Sequence, residues 1–289
     1  MKYRLGGVEP YLYILPYFLI FALLLVIPGV SGMIIGLYDW AVVGDRTFIG
    51  LGNFKEMFSD DVFLHSVRNT LVYTLIYVPL YIVLGLAMAV LLNRQFRGRS
   101  LMRLIIFAPY VFMIPAVGVI WRWFMDTNFG ILNYYLAVLH LPTVRWLTDT
   151  KVVLNSIALV ILWETIGYSM VIFLAGLQEI PQEIVEAATI DGASAWSKFW
   201  NITVPFLRPT TFFLLVIGVI GALKTFGQPF MITAGGPLDA SMTVVMTLYY
   251  NGFQYFRMGY AAAISTVLFI AILAITLLQF RFLRQRVVE

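Results

Sequence analysis

A short polar stretch, Glu186–Ala193, lies between long apolar segments of the chain. Ala187 and Ala188 are small, so a helix that contains them can approach another surface closely. Gly192 has the backbone freedom that ends a helix in a tight turn, and Ser194 is a suitable N-cap for a second helix. The stretch therefore predicts a compact knob made of a helix, a glycine turn and a second helix.

Prolines and carboxylates frame the same knob. Pro181 suits a first helical turn, and Pro205 and Pro209 are expected to end the second helix before the next apolar segment. Glu186 and Asp191 remain available for charge-assisted hydrogen bonds to an arginine or lysine of a partner. An amphipathic helix pair without any partner is the alternative interpretation.

Two further ionisable residues, Glu164 and Lys224, fall inside segments that are otherwise apolar. Ionisable groups are costly within a bilayer and usually face a cavity or a partner. Two interpretations stay open at this point. Either both residues line a solute pathway, or they form a structural ion pair with each other.

The composition places the chain in a membrane. It is 61% hydrophobic and 12% charged, whereas soluble domains are about 45–50% apolar and about 25% charged. The net charge of +4 is interpreted as a topology signal of a membrane protein rather than as nucleic-acid binding. The sequence has no cysteine, which excludes disulfides and thiolate metal sites. His65 and His140 are isolated, so no metal site is predicted.

Six segments are long and apolar enough to cross a bilayer, which needs about 20 residues per helix. The first is expected to be an uncleaved span that is kinked or broken near Pro28 and Gly29. The predicted fold is all-α, a polytopic membrane protein in which residues 1–289 form one transmembrane domain. The predicted spans are Tyr11–Tyr38, Asn69–Leu92, Leu101–Phe124, Val152–Leu177, Thr210–Thr233 and Gly259–Phe282.

The distribution of charge predicts the orientation. Short cytoplasmic loops carry an excess of lysine and arginine. With six spans, the basic segments fall on one side, and they contain Lys2, Arg4, Arg94, Arg97, Arg99, Arg103, Arg281, Arg284 and Arg286. The first connection is rich in acids instead, as expected of the opposite face. Both termini and the knob are therefore predicted to be cytoplasmic.

The knob resembles the E-A-A-x-x-x-G-x(9)-I-x-x-P loop of binding-protein-dependent ABC importer permeases. The matching residues are Glu186, Ala187, Ala188, Asp191, Gly192, Ile202 and Pro205. Further segments are similar to the sugar-type permeases, which import oligosaccharides and glycerol phosphate: Gly50–Phe54, Phe173–Pro181, Thr233–Pro237 and Gly259–Ala263. Val204 stands where that family often has leucine.

The resemblance implies a function and a set of partners. The loop of about residues 178–208 would dock an ATPase subunit, and Glu186, Ala187, Ala188, Asp191, Gly192 and Pro205 would carry the coupling. The partners would be a second related permease in a heterodimer, two ATPase subunits that bind ATP and Mg, and an extracytoplasmic solute-binding protein. The chain would lie in a bacterial or archaeal plasma (inner) membrane and bind no cofactor itself, since it contains no G-x(4)-G-K-[ST] motif.

The substrate pathway is predicted from side chains that suit a sugar. The candidates are Trp163, Glu164, Tyr168, Lys224, Phe226, Gln228 and Tyr249, which stack on rings or hydrogen-bond to hydroxyls. An ion-coupled secondary transporter is an alternative function, but Glu164 is the one candidate for its ion site. A permease for glycerol phosphate or another polyol derivative is a second alternative. A membrane enzyme lacks any catalytic motif here, and a structural subunit would not explain the knob. The sequence does not specify which solute is carried.

Overall fold

The computed structural model describes residues 9–42 and 44–283, which are mostly helical. The α-helices are α1 Glu9–Phe21, α2 Ile27–Ile35, α3 Gly52–Met57, α4 Asp61–Asn93, α5 Arg99–Phe107, α6 Ile114–Phe124, α7 Ile131–Val138, α8 Val153–Gln178, α9 Gln182–Ile190, α10 Ala195–Lys198, α11 Val204–Phe206, α12 Arg208–Leu223, α13 Gly227–Thr233, α14 Val244–Tyr249 and α15 Met258–Leu283. Two short strands, β1 Tyr38–Asp39 and β2 Thr47–Phe48, pair antiparallel.

The helices confirm the all-α polytopic fold. In the described residues, four helical runs are long and apolar enough to cross a membrane, and the number rises to six if each of two bent pairs is one span. The four runs are Tyr11–Ile35, Asp61–Asn93, Val153–Gln178 and Met258–Arg281. The bent pairs are Arg99–Val111 with Ile114–Phe124, at 102°, and Ala195–Phe206 with Arg208–Leu223, at 63°.

The first span is irregular just before the expected position. A π-helical turn, Ala22–Val26, joins α1 to α2, and the N–H of Ile27 bonds to the carbonyl of Ala22. Pro28 follows at once and cannot donate a helical hydrogen bond, so the helix departs from regularity next to it. The span ends at Ile35 rather than at Tyr38, because Tyr38 pairs with Phe48 in the small sheet.

The third predicted span, Leu101–Phe124, is not one continuous helix. After a 3₁₀ turn at Ala108–Val111, Phe112 and Met113 adopt extended backbone, and α6 begins at Ile114. The prolines at positions 109 and 115 remove helical donors on both sides of this break. Hydropathy alone does not detect the break because all the residues around it are apolar.

The fifth predicted span, Thr210–Thr233, is also interrupted. Helix α12 ends at Leu223, α13 begins at Gly227, and Phe226 between them has non-helical φ and ψ of −143° and −55°. Pro229 has no N–H, so it cannot bond to the carbonyl of Thr225 four residues earlier. The Thr243 hydroxyl donates to that carbonyl instead, at 2.9 Å.

The chain divides into two compact units, and the larger comprises Asp61–Thr247 with the chain from Ala271. Its core lies where α4, α8 and α12 pack together. Tyr73, Tyr77 and Tyr81 stack one turn apart along α4, with centroids 5.3 and 5.4 Å apart. The Ser169 hydroxyl of α8 donates to the carbonyl of Tyr81 at 3.1 Å.

The smaller unit comprises the described residues up to Asp60 together with Leu248–Ile270. Buried Asn53 donates to the carbonyls of Gly36 and Tyr38, both at 2.9 Å. Arg257 pairs with Glu56, and the Tyr260 hydroxyl donates to the Asp60 carboxylate at 2.6 Å. These bonds hold the small sheet and α3 against the start of α15.

We predict that Gly167→Ala destabilises the protein whereas Gly221→Ala does not. A Cβ at Gly167 would lie 2.3 Å from the Ile106 carbonyl oxygen, while one at Gly221 meets nothing within 4 Å. Overpacking against backbone costs about 1–3 kcal/mol, and alanine in an open helical site is favourable by up to about 1 kcal/mol. The difference is measured by thermal unfolding of the detergent-purified variants, with size-exclusion chromatography as the readout. Equal midpoints would contradict this packing.

Candidate functional site

The first helix of the knob is α9, and Gly192 ends this helix. Pro181 precedes the helix with extended ψ of 129°, so it is the N-cap rather than part of the first turn. At the other end the N–H of Gly192 bonds to the Thr189 carbonyl, and the N–H of Ala193 bonds to the Ala188 carbonyl. These two bonds form a Schellman motif around Gly192, whose φ is +78°.

The second helix of the knob starts at the expected residue. Ser194 is the N-cap of α10, and its side chain accepts a hydrogen bond from the N–H of Ser197 at 3.2 Å. The predicted end at Pro205 is wrong, because helical structure continues through a π-helical turn, Phe199–Thr203, to Phe206. The N–H of Val204 bonds to the Phe199 carbonyl in this wider turn, and Pro205, which has no N–H and so needs no acceptor, follows it.

Side-chain bonds tie the two helices of the knob together. The Lys198 ammonium donates to the Thr189 hydroxyl at 3.1 Å. That hydroxyl in turn donates to the Val185 carbonyl at 2.6 Å. With the Schellman bonds, these contacts link α9 and α10 at both the turn and the helix faces, so the knob is built as one unit.

The surface of the knob is exposed and partly apolar. Glu186, Ala187 and Asp191 are all exposed. Ile190 is 86% exposed and Trp196 71% exposed. Large apolar side chains clustered with carboxylates on an exposed surface are typical of an interaction site.

A polar cleft of about 620 Å³ lies beside the knob. One wall is formed by Gln182 and Glu186 of α9, and the other by Asn93, Gln95 and Arg99 of the connection between α4 and α5. Arg99 and Glu186 line the same cleft, which the sequence did not predict because the two positions lie far apart in the chain.

The second candidate site is the buried carboxylate of Glu164, which is 6% exposed. The Gln228 amide donates to it at 2.8 Å. Glu164 projects from the middle of α8, and Gln228 from the first turn of α13. Two residues of the predicted pathway therefore meet, and this contact holds the short helix α13 against α8.

Lys224 does not pair with Glu164. It is exposed at the C-cap of α12, on the interrupted segment before α13. In the described part of the chain, the one ion pair joins Arg257 and Glu56. A lysine at the centre of a membrane helix costs about 2.5–3.5 kcal/mol, and a helix C-terminus returns only about 0.3–1 kcal/mol of it. At the depth that the predicted span Thr210–Thr233 gives it, Lys224 would therefore need water or an anion beside it.

The aromatic candidates divide between several places. Tyr168 lies one turn beyond Glu164 on the same face of α8 and stacks on Tyr110 at 5.0 Å. Phe226 stacks on Phe230 at 5.0 Å, next to the interruption. Trp163 instead packs edge-to-face on Trp121 at 5.3 Å and lines an apolar groove.

Tyr249 is the last predicted pathway residue, and two residues near Glu164 were not predicted. Tyr249 belongs to the smaller unit, where its ring lies 5.4 Å from that of Phe253. The sequence did not identify Tyr77 and Thr165 as candidates. Their hydroxyls form a hydrogen bond of 2.9 Å with each other, and Thr165 directly follows Glu164 in the chain. A tyrosine at every fourth position of an apolar helix was the signal that could have indicated them.

Comparison with known proteins decides the family. The sequence model of the family described as "Binding-protein-dependent transport system inner membrane component" matches residues 81–289. The chain belongs to this family. It is a multi-pass inner-membrane transporter component rather than an enzyme, and the ion-coupled alternative is not favoured.

Two curated relatives and a solved structure illustrate the similarity. The chain is 35% identical to the sn-glycerol-3-phosphate transport system permease protein UgpA of Agrobacterium fabrum, over 83% of this chain and 82% of that one. It is 34% identical to the sulfoquinovosyl glycerol transport system permease protein SmoG of the same organism, over 83% and 78%. A bacterial alginate ABC transporter, solved with an alginate pentasaccharide-bound periplasmic protein, shares the fold with a TM-score of 0.86 at 22% identity, covering 96% of this permease and 95% of that chain.

We predict that Gly192→Ala loosens the knob and that Gly192→Asn loosens it less. A Cβ at Gly192 meets no atom within 4 Å, so the left-handed backbone is the one penalty, about 1–2 kcal/mol for alanine and less for asparagine. Amide hydrogen exchange over residues 182–198 should accelerate at least about fivefold in the alanine variant. Exchange at the rate of the unchanged protein in both variants would show that the Schellman turn does not hold the knob.

We predict that Gln228→Ala destabilises the permease by about 1–3 kcal/mol, because it leaves the buried Glu164 carboxyl group without its hydrogen-bond donor. Replacing both residues by leucine should recover most of the loss, since no polar group then stays unsatisfied. Thermal unfolding of the two single leucine variants, the double leucine variant and Gln228→Ala measures this coupling. Strictly additive effects would mean that the two side chains do not interact.

Proposed function

We propose that this chain is one of two related permeases in an ATP-driven, binding-protein-dependent importer of carbohydrates or polyol derivatives. Two ATPase subunits with ATP and Mg would drive it, and an extracytoplasmic solute-binding protein would deliver the solute. Residues 1–289 would act as one transmembrane domain with both termini in the cytoplasm. Family membership supports the transporter role, and the basic segments at the termini and between α4 and α5 support the orientation.

The observation that carries the proposal is the position of the knob between two pathway helices. Helix α8, which carries Glu164, ends at Gln178 just before α9. The second half of the knob continues, with a 63° bend, into α12, which ends at Leu223 directly before Lys224. A force on the knob therefore acts directly on both helices that lead to the candidate pathway.

The ATPase subunit is the partner that we assign to the exposed surface of the knob. Glu186 and Asp191 suit charge-assisted bonds to arginine or lysine, and Ile190 and Trp196 offer apolar surface. Ala187 and Ala188 permit close approach, and Gly192 and Pro205 set the backbone path through the knob. Nucleotide-driven closure of the ATPase would then switch the permease between two states.

The substrate class is proposed from the relatives and from the candidate pathway. The names of UgpA and SmoG give sn-glycerol-3-phosphate and sulfoquinovosyl glycerol as their cargoes, both polyol derivatives. The pathway of this chain would be formed by Glu164, Tyr168, Lys224, Phe226 and Gln228, which offer hydrogen bonds and aromatic faces. A role in the pathway is less well supported for Trp163 and Tyr249, because Trp163 lines an apolar groove and Tyr249 lies in the smaller unit.

We predict that Glu186→Lys abolishes coupling without preventing membrane insertion. The permease is co-expressed with its partner permease, ATPase and solute-binding protein, and the ATPase activity of the purified complex is measured in proteoliposomes. Stimulation by the loaded binding protein should fall at least about tenfold, because a carboxylate that meets a cation is replaced by a like charge. Gly192→Trp should have the same effect, since it breaks the left-handed turn.

Asp45→Lys is the matched control for this experiment. It makes the same change of charge at an exposed residue in the first connection, which is assigned to the other side of the membrane. Its stimulated ATPase activity should equal that of the unchanged complex. A Gly192→Trp variant that assembles with the ATPase and transports normally would overturn the proposed role of the knob. Uptake driven by an ion gradient without ATP would overturn the importer itself.

A further inference from the structure

We infer that the transported solute is an anionic carbohydrate, carrying a carboxylate or phosphate group, and that Lys224 is its counter-charge in the pathway. This inference rests on the proposed function and deepens it. Lys224 is exposed on the interrupted segment between α12 and α13. Backbone without helical bonds at membrane depth is tolerated where it is buried in protein or lines a water-filled cavity.

The nearby carboxylate does not neutralise Lys224. Glu164 receives its hydrogen bond from the Gln228 amide, and in the described residues Lys224 forms no ion pair. Within residues 9–42 and 44–283, the ammonium group of Lys224 therefore has no carboxylate that balances its charge. Hydroxyl groups of a neutral sugar accept hydrogen bonds from lysine but leave that charge unbalanced, whereas a carboxylate or phosphate balances it.

A cluster of basic residues lies at the start of α4, in a cavity of about 520 Å³. His65, Arg68 and Lys151 line this cavity together with a single acid, Asp239. In the proposed orientation the cavity opens on the extracytoplasmic side, where the topology rule gives no reason for basic residues to collect. Converging cations in a cavity raise the local concentration of an anionic solute.

A neighbouring cavity does not share this excess of basic residues. That cavity, of about 460 Å³, is lined by Arg122 and Asp126 among uncharged residues. One base and one acid favour no sign of charge. The excess of cations is thus a property of the cavity at the start of α4 and not of every cavity in this unit.

Hydrogen bonds connect the basic cavity to the segment that carries Lys224. Asn69, which lines the cavity, donates to the Met242 carbonyl at 3.1 Å, and the hydroxyl of the next residue, Thr243, donates to the Thr225 carbonyl at 2.9 Å. Thr225 directly follows Lys224 in the chain. The cavity lined by Arg68 and Lys151 is therefore linked through bonded residues to the segment that carries Lys224.

The test uses the complete complex in proteoliposomes. The probe is the solute that co-purifies with the binding protein and is identified by mass spectrometry. We expect an anionic carbohydrate, a fall in its uptake of at least about tenfold for Lys224→Gln, and uptake within about threefold of normal for Lys224→Arg. Lys55→Gln, which removes an exposed lysine elsewhere, should transport normally.

Arg68→Gln with Lys151→Gln should raise the KM for the loaded binding protein's solute several-fold and leave kcat unchanged.

The other outcomes separate the inference from the proposed function. A neutral solute, or an anionic one whose uptake Lys224→Gln leaves unchanged, would overturn the inference while the importer stands. Failure of the Lys224→Gln complex to assemble, with assembly restored by arginine, would assign the counter-charge to the partner permease and also overturn it. Absence of ATP-driven uptake by the unchanged complex would refute the proposed function instead.

Discussion

Every backbone N–H and C=O group at membrane depth must find a partner within the protein, and the arrangement of this permease follows from that requirement. Four helical runs meet it by being continuous. The third and fifth predicted spans instead break next to prolines, which have no N–H to place, and in the fifth a freed carbonyl is bonded to a side chain. The Thr225 carbonyl, which Pro229 leaves without a helical donor, accepts from the Thr243 hydroxyl. The interruption is therefore a built feature, and it places Lys224 and Gln228 on either side of non-helical backbone within the predicted span Thr210–Thr233.

The knob and the interrupted pathway belong to one mechanical unit. Helices α8 and α12 pack together in the core of the larger unit, and the knob joins the end of one to the start of the other. Gly192 gives the knob a fixed turn, and the bond from Lys198 to Thr189 fastens its two helices. Helix α13 contacts α8 through the bond from Gln228 to Glu164 and in the cluster of Val160 and Ile232. Because non-helical backbone separates α13 from α12, a shift of α8 or α12 can change the backbone at that break. Rigid parts joined at a break are the ordinary basis of switching between two states.

The sequence predicted the all-helical membrane fold, the glycine turn at Gly192 and the cap at Ser194, because these depend on composition and on local backbone chemistry. It did not predict the breaks at Phe112 and at Lys224–Phe226, since hydropathy averages over windows longer than a break. The pairing of Glu164 with Gln228 was also out of reach. Both residues were candidates, but which faces of two uniformly apolar helices meet is decided by packing and not by periodicity. Pro205 misled the prediction because a π-helical turn before it moves the donors that a proline would otherwise disrupt.

The central claim is that the interruption between α12 and α13 lines an aqueous pathway, and cysteine accessibility tests it most directly. The sequence contains no cysteine, so single substitutions can be labelled without background. Lys224→Cys and Phe226→Cys in the assembled complex should react with a membrane-impermeant thiol reagent. Ile217→Cys, at an exposed apolar position of α12, should not react, because it faces lipid or a partner helix. Lack of reaction at positions 224 and 226 in both the nucleotide-free and the ATP-bound complex would contradict the account.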